Sequence, residues 1–177
     1  MNAIIYLVDT LLWLLTLAFV LRLLLQLVRA NFRDPLADAL LRVTNWLILP
    51  MRRVLPPIRQ VDTATVVAVF LVAAARTLAL FALRGLAPVD AASMVGATAV
   101  SLADMILRIY LFALLLYWLT GFVAPGGYGP GIGLVGQLCE PLLRRIRRWI
   151  PPIGQVDFSI LWASIAIGAL LILLAQP

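Results

Sequence analysis

The chain has 177 residues, of which 64% are hydrophobic and 12% are charged, with a net charge of +6. This apolar content lies well above the roughly 45–50% of soluble domains, which excludes an ordinary soluble domain. The chain has no histidine, which removes Ser-His triads, histidine general bases and most zinc sites. We therefore expect no enzyme, no metal and no cofactor.

Four apolar runs are long enough to cross a bilayer core, which takes about 20 residues of helix. They cover roughly residues 3–27, 63–83, 97–120 and 158–175. The first run carries Asp9 near one end and Arg22 near the other. We expect Arg22 to extend along the helix and to place its guanidinium in the headgroup region.

The segment after the first run predicts an amphipathic helix. Asp34 and Pro35 form a typical N-cap and N1 pair, because the carboxylate accepts backbone N–H bonds and proline lacks the N–H that would stay unpaired. Asp38 and Arg42 have the i,i+4 spacing of a helical ion pair. A helix of this kind is expected to lie in the membrane interface, where Trp46 also fits.

An eleven-residue motif occurs twice. Residues 52–62 (RRVLPPIRQVD) return as residues 147–157 (RRWIPPIGQVD), with eight of eleven positions identical at an offset of 95. We call these segments the first hinge and the second hinge, because a pair of prolines cannot continue a helix. The hinge prolines are Pro56, Pro57, Pro151 and Pro152. Each hinge ends in an aspartate, Asp62 or Asp157, which we expect to be an N-cap, with a proton-carrying carboxylate as the functional alternative.

The second and third runs carry charges inside the membrane. Arg76 lies at a depth similar to that of Asp9, so an Asp9–Arg76 ion pair is expected, because a buried charge needs a partner. Asp104 and Arg108 in the third run have i,i+4 spacing. They can neutralise each other within one helix, or they can belong to a polar pathway.

The third and fourth runs are joined by a glycine-rich connector and a second amphipathic segment at about residues 134–149. Arginines beside a membrane attract anionic headgroups by about 1 kcal/mol each. We therefore expect both hinge regions to bind anionic phospholipid or a partner protein. The predicted binding residues are Arg52, Arg53, Arg144, Arg145, Arg147 and Arg148.

Arginine counting predicts the topology. Ten arginines lie on the two connections that contain the hinges, and the positive-inside rule places these connections in the cytoplasm and both termini outside. The predicted fold is an all-α membrane protein with four transmembrane helices in two tandem parallel repeats, residues 1–86 and 87–177. Each repeat has an interfacial amphipathic helix and a hinge between its two membrane helices.

The doubled hinge motif, the LRLLLQ segment at residues 21–26 and Asp157-Phe158-Ser159 resemble the YggT (YlmG) family. The resemblance covers essentially the whole chain and implies a multi-pass protein of the bacterial inner membrane. It links the chain to cell division and nucleoid distribution, to cytochrome-complex assembly in thylakoids and to osmotic or ion homeostasis. It provides no catalytic residue.

Two functions remain open. The first is a non-enzymatic membrane scaffold or assembly factor that uses its arginine–proline surfaces. The second is a small channel or ion-transport component, which would need self-association because four helices barely enclose a pore. An intramembrane enzyme is disfavoured for lack of any nucleophile or metal motif. Nucleic acid is not an expected partner, because the arginines lie beside membrane spans.

Overall fold

The computed structural model describes residues 3–32, 34–56, 62–85, 90–123, 129, 131–148 and 157–175. These described residues form an all-helical structure with six helices. They are α1 (Ala3–Leu27), α2 (Pro35–Val54), α3 (Thr63–Leu83), α4 (Ala91–Val123), α5 (Ile132–Arg147) and α6 (Ser159–Ala175).

Three of these helices, α1, α3 and α4, are long and apolar enough to cross a membrane. α6 is apolar but has only 17 residues, so a fourth crossing stays a prediction. α4 begins at Ala91, six residues before the predicted start. The reason is a local cap: the Asp90 carboxylate accepts bonds from the backbone N and the hydroxyl of Ser93, at 3.1 and 2.6 Å. This satisfies the free N–H groups of the first turn.

The two amphipathic helices differ in how they begin. Asp34 caps α2 as predicted, since its Oδ1 accepts from the backbone N of Leu36 at 2.9 Å. α5 begins after Gly131, whose positive φ of 82° suits glycine. α2 continues through Pro50 to Val54.

The four apolar helices pack in the order α1, α3, α4, α6, with α2 against α1 and α3, and α5 against α4 and α6. One apolar core runs through this assembly. Phe19 and Ile48 are fully buried in it, and so are Leu114 and Leu143. Leu114 follows Phe19, and Leu143 follows Ile48, by the same 95 residues that separate the two hinges.

A polar junction joins the first amphipathic helix to the second. The Oδ2 of Asp34 accepts from the backbone N of Gly131 at 2.9 Å. The backbone N of Asn31 donates to Oε1 of Gln137 at 2.7 Å. Because these bonds connect segments about one hundred residues apart, they hold α2 and α5 at the same end of the bundle.

Candidate functional site

The first hinge is closed by an ion pair between its first arginine and its last residue. Arg52 Nε donates to Asp62 Oδ2 at 3.0 Å, and Arg52 Nη2 contacts the same oxygen. The Thr65 hydroxyl donates to this oxygen at 2.8 Å. Burial raises the pKa of Asp62, but the bonds from Arg52 and Thr65 outweigh it and leave the pKa below its usual value. The hinge therefore holds an ionised carboxylate.

Asp62 occupies the N-cap position of α3, but its side chain makes no capping hydrogen bond. Arg52 and the Thr65 hydroxyl both donate to its Oδ2 instead. Its other oxygen, Oδ1, is buried without a hydrogen-bond partner in the described part of the chain. Pro56 accepts a bond from the Thr63 hydroxyl at 2.7 Å through its carbonyl oxygen.

An arginine–aspartate ion pair at the same two motif positions, Arg147 and Asp157, joins the ends of the second hinge. Arg147 Nε and Nη2 donate to Asp157 Oδ2 at 2.9 and 2.6 Å. Here the carboxylate also caps the helix, because Oδ1 accepts from the backbone N of Ser159 at 2.9 Å. Burial raises the pKa of Asp157, but the hydrogen bonds from Arg147 and Ser159 lower it by more. The pKa of Asp157 therefore lies below its usual value.

Arg147 has further polar neighbours at this hinge. Its Nη1 lies 3.3 Å from Oε2 of Glu140. Burial lowers the pKa of Arg147, but its contacts with Tyr117 and Asp157 raise it above its ordinary value. Arg147 is therefore a fixed cation with several partners.

The two arginines of each hinge thus have different roles. The first, Arg52 or Arg147, is bound to the aspartate ten residues later. The second, Arg53 or Arg148, is exposed. Arg52 is itself 42% exposed and Arg147 29%, so what sets Arg53 and Arg148 apart is that they are exposed and lie outside these two ion pairs.

Two further arginines of the predicted binding set lie on the last turns of α5. Arg145 is exposed, and the Arg144 side chain is 69% exposed, with Nη2 3.9 Å from Glu140. Binding of lipid or a partner by any of these arginines stays a prediction. Three of the predicted hinge residues, Pro57, Pro151 and Pro152, lie outside the described residues.

Arg22 does not extend to the headgroup region as expected. Its side chain is 1% exposed, and Nη1 donates to Thr44 Oγ1 at 2.6 Å and to Asn45 Oδ1 at 2.8 Å. These acceptors belong to α2, which packs against the C-terminal half of α1. The polar partners on α2 replace the water that the guanidinium would otherwise reach, so Arg22 connects α1 to the amphipathic helix.

The acidic residues within the candidate spans, Asp9 and Asp104, have arginine partners. Arg76 Nε donates to Asp9 Oδ1 at 2.8 Å, as the sequence predicted. Arg108 Nε donates to Asp104 Oδ2 at 2.8 Å within α4. Both pairs neutralise charge at membrane depth, which lowers the cost of placing it there.

Sequence reasoning missed Thr44, Asn45 and Thr65 as partners of the site's charged groups. Thr44 and Asn45 give no local signal, because their role depends on how α2 docks against α1. The pairing within the hinges did leave a signal. An arginine and an aspartate with identical ten-residue spacing occur in both copies of the motif.

Comparisons with known proteins point to one family. A family model described as CCB3/YggT matches residues 1–83 and 86–177. An uncharacterized protein of Pseudomonas aeruginosa is 34% identical over 167 residues, covering 94% of this chain and 85% of its own. The uncharacterized protein YggT of Escherichia coli is 27% identical over 164 residues, covering 90% and 82%. No solved structure matches the chain significantly.

Proposed function

Because the chain belongs to the CCB3/YggT family, we propose that it is a non-enzymatic scaffold of the bacterial inner membrane. In this proposal the chain crosses the membrane four times in two tandem units, residues 1–86 and 87–177. Both termini lie outside, and both hinges lie in the cytoplasm. The scaffold holds anionic phospholipid at its cytoplasmic surface, and through that surface it supports assembly of membrane complexes.

The proposal rests on the different contacts that the two arginines of each hinge make. Arg52 and Arg147 are held in ion pairs with the aspartates at the other end of each hinge, whereas Arg53 and Arg148 are exposed. Each hinge thus presents an exposed guanidinium next to an arginine that is already bound. Guanidinium groups bind phosphate in a bidentate manner, which makes the lipid phosphate a suitable ligand.

The outer faces of the amphipathic helices also support a position at the membrane surface. On α2, Trp46 is 62% exposed and Leu49 is 53% exposed, although the helix ends in two arginines. Exposed apolar residues beside exposed arginines are typical of helices that lie in the headgroup region. The hydrogen bond from the backbone N of Gly131 to Asp34 keeps the start of α5 close to the start of α2, so both helices lie at the same depth in this proposal.

The proposal is tested by measuring anionic lipid retained on the purified protein by native mass spectrometry. The double variant Arg53→Gln/Arg148→Gln removes both free hinge arginines. At about 1 kcal/mol for each arginine, its affinity for phosphatidylglycerol is expected to fall about 30-fold. The matched control is Arg42→Gln/Arg84→Gln, which removes the same charge away from the hinges and is expected to retain the lipid.

Equal lipid retention by both double variants contradicts the proposal. The competing function, a small channel, is tested with the same proteins in liposomes. The pairing of Asp9 with Arg76 and of Asp104 with Arg108 favours the scaffold, because these charges already neutralise each other. Ion flux that Asp104→Asn abolishes would favour the channel instead.

A further inference from the structure

One face of α4 carries an exposed ion pair at the centre of a membrane span. The candidate span covers Ala91–Gly121. Asp104 lies 13 residues from its first residue and Arg108 lies 13 residues from its last (104 − 91 and 121 − 108). At 1.5 Å per residue both positions are about 20 Å from the nearer end. The side chains of Arg108 and Asp104 are nevertheless 68% and 37% exposed.

This exposure is unfavourable for a single chain surrounded by lipid. Charged side chains at the middle of a membrane almost always face a protein interior or a water-filled cavity. Two intrahelical bonds, from Arg108 Nε to Asp104 Oδ2 and from Arg108 Nη2 to Asp104 Oδ1, neutralise the net charge of the pair. The Nη1 group of Arg108 has no hydrogen-bond partner among the described residues. The membrane-embedded chain therefore needs something polar to cover this face of α4.

The pair lies on the wall of a large groove with a cavity volume of about 1320 Å³. α1 contributes residues such as Leu17 to the groove, and α4 contributes Asp104, Arg108 and Phe112. At the hinge end it is closed by first-turn residues of α2 and α5, such as Leu36 and Ile132. The lining is mostly apolar; its polar residues are the Asp104–Arg108 pair together with Arg76, Ser101 and Thr120.

The residues on this face of α4 recur at intervals of three or four, which places them in one stripe. Val100 is 47% exposed, Phe112 62% and Leu115 56%. Ala97 is exposed on the same stripe and is small, so it lets another helix approach closely. Along the stripe, the small residue Ala97 is followed by the Asp104–Arg108 pair and then by the apolar residues Phe112 and Leu115.

A second copy of this chain supplies the chemistry that the stripe lacks. Two copies inserted in the same orientation carry Asp104 and Arg108 at the same depth. A two-fold axis along the membrane normal brings the same patch of each copy together. Asp104 of one copy then lies about one helical turn from Arg108 of the other along the membrane normal, within reach of the long arginine side chain. Lipid acyl chains can fill the apolar part of the groove, but they provide no partner for these charges.

We propose that α4 is a homodimer interface formed by Ala97, Val100, Asp104, Arg108, Phe112 and Leu115. In the dimer each Arg108 bridges its own Asp104 and the partner's Asp104. The Phe112 ring of each copy enters the groove of the other. The dimer does not depend on lipid binding at the hinges, so the two proposals succeed or fail separately.

Cysteine cross-linking in native membranes tests the proposed face. Single cysteines are placed at Ala97 or Leu115 in a Cys139→Ser background and are oxidised. The controls are cysteines at Leu71 on α3 and Leu170 on α6, which are comparably exposed at 51% and 48%. We expect a disulfide-linked dimer at the α4 positions at least ten-fold more abundant than at the control positions. Equal cross-linking at all four positions overturns the proposal.

The role of the charges is tested by dilution in liposomes with single-molecule photobleaching. Arg108→Gln is expected to weaken the dimer at least ten-fold, and the double swap Asp104→Arg/Arg108→Asp is expected to restore it, because the swapped pair is also self-complementary. Val100→Trp keeps the ion pair and blocks close approach, so it gives a second test if Arg108→Gln fails to fold. A wild-type protein that is monomeric at every dilution, with lipid as the sole occupant of the groove, contradicts the proposal.

Discussion

Arg147 donates two hydrogen bonds to one oxygen of Asp157, at 2.9 and 2.6 Å, and so joins the two ends of the eleven-residue motif that contains two prolines. Arg52 and Asp62 form the corresponding pair in the first hinge. In both hinges the neighbouring arginine is left exposed. The arginine pair therefore combines a structural residue and an accessible one, and the two are separable by mutation.

Mutation of the structural arginine is expected to destabilise the protein. Arg147→Gln removes the partner of Asp157, and both side chains are less than one-third exposed. A hydrogen-bonded charged pair contributes about 1.5–3 kcal/mol, so a loss of this size is expected in the free energy of unfolding in detergent. Arg148→Gln, the matched control, is expected to change it by less than about 0.5 kcal/mol. Equal losses for the two variants would contradict the division of roles.

The buried Arg22 is expected to be coupled energetically to α2. Arg22→Met leaves the Asn45 Oδ1 without its donor, which costs about 1–3 kcal/mol. Because the pair is in contact, the double variant Arg22→Met/Asn45→Leu is expected to lose less stability than the sum of the single variants, by at least about 0.5 kcal/mol. Chemical denaturation of all three variants measures this difference. Strict additivity would show that the contact does not hold α2 in place.

The hinge carboxylates predict a loss of stability in acid. The pKa values of Asp62 and Asp157 are lowered below 3.8 in the folded chain. Their stabilising contribution is therefore fully present above pH 3.8 and is lost as the pH falls through the lower folded values. These two carboxylates are expected to leave the melting temperature unchanged between pH 8 and pH 5. Their protonation is expected to lower the melting temperature once the pH is below about 4.

The matched variant for this experiment is Asp62→Asn/Asp157→Asn. It should melt at a lower temperature than the wild type at neutral pH and show a smaller decrease in acid, since the titrating groups are gone. An identical acid decrease in the variant would assign the pH dependence to other carboxylates.

The sequence predicts the helices well because the information is local. Apolar runs, the Asp34–Pro35 cap and the matching depths of Asp9 and Arg76 are all readable along the chain. Burial of Arg22 is not, because its acceptors Thr44 and Asn45 lie on another helix. The junction between Asp34 and Gly131 depends on two segments 97 residues apart. Which arginine of each hinge is bound to the aspartate is also not readable from the motif, because both arginines keep a constant spacing to it in the two copies.

The proposed orientation, with both hinges in the cytoplasm, is tested by cysteine labelling in intact cells. Single cysteines replace Arg53, Arg148 or Arg84 in a Cys139→Ser background, and a membrane-impermeant maleimide is added from outside. The account predicts that the Arg84 position is labelled in intact cells, whereas the Arg53 and Arg148 positions are labelled only after permeabilisation. Labelling of either hinge position in intact cells would contradict the account.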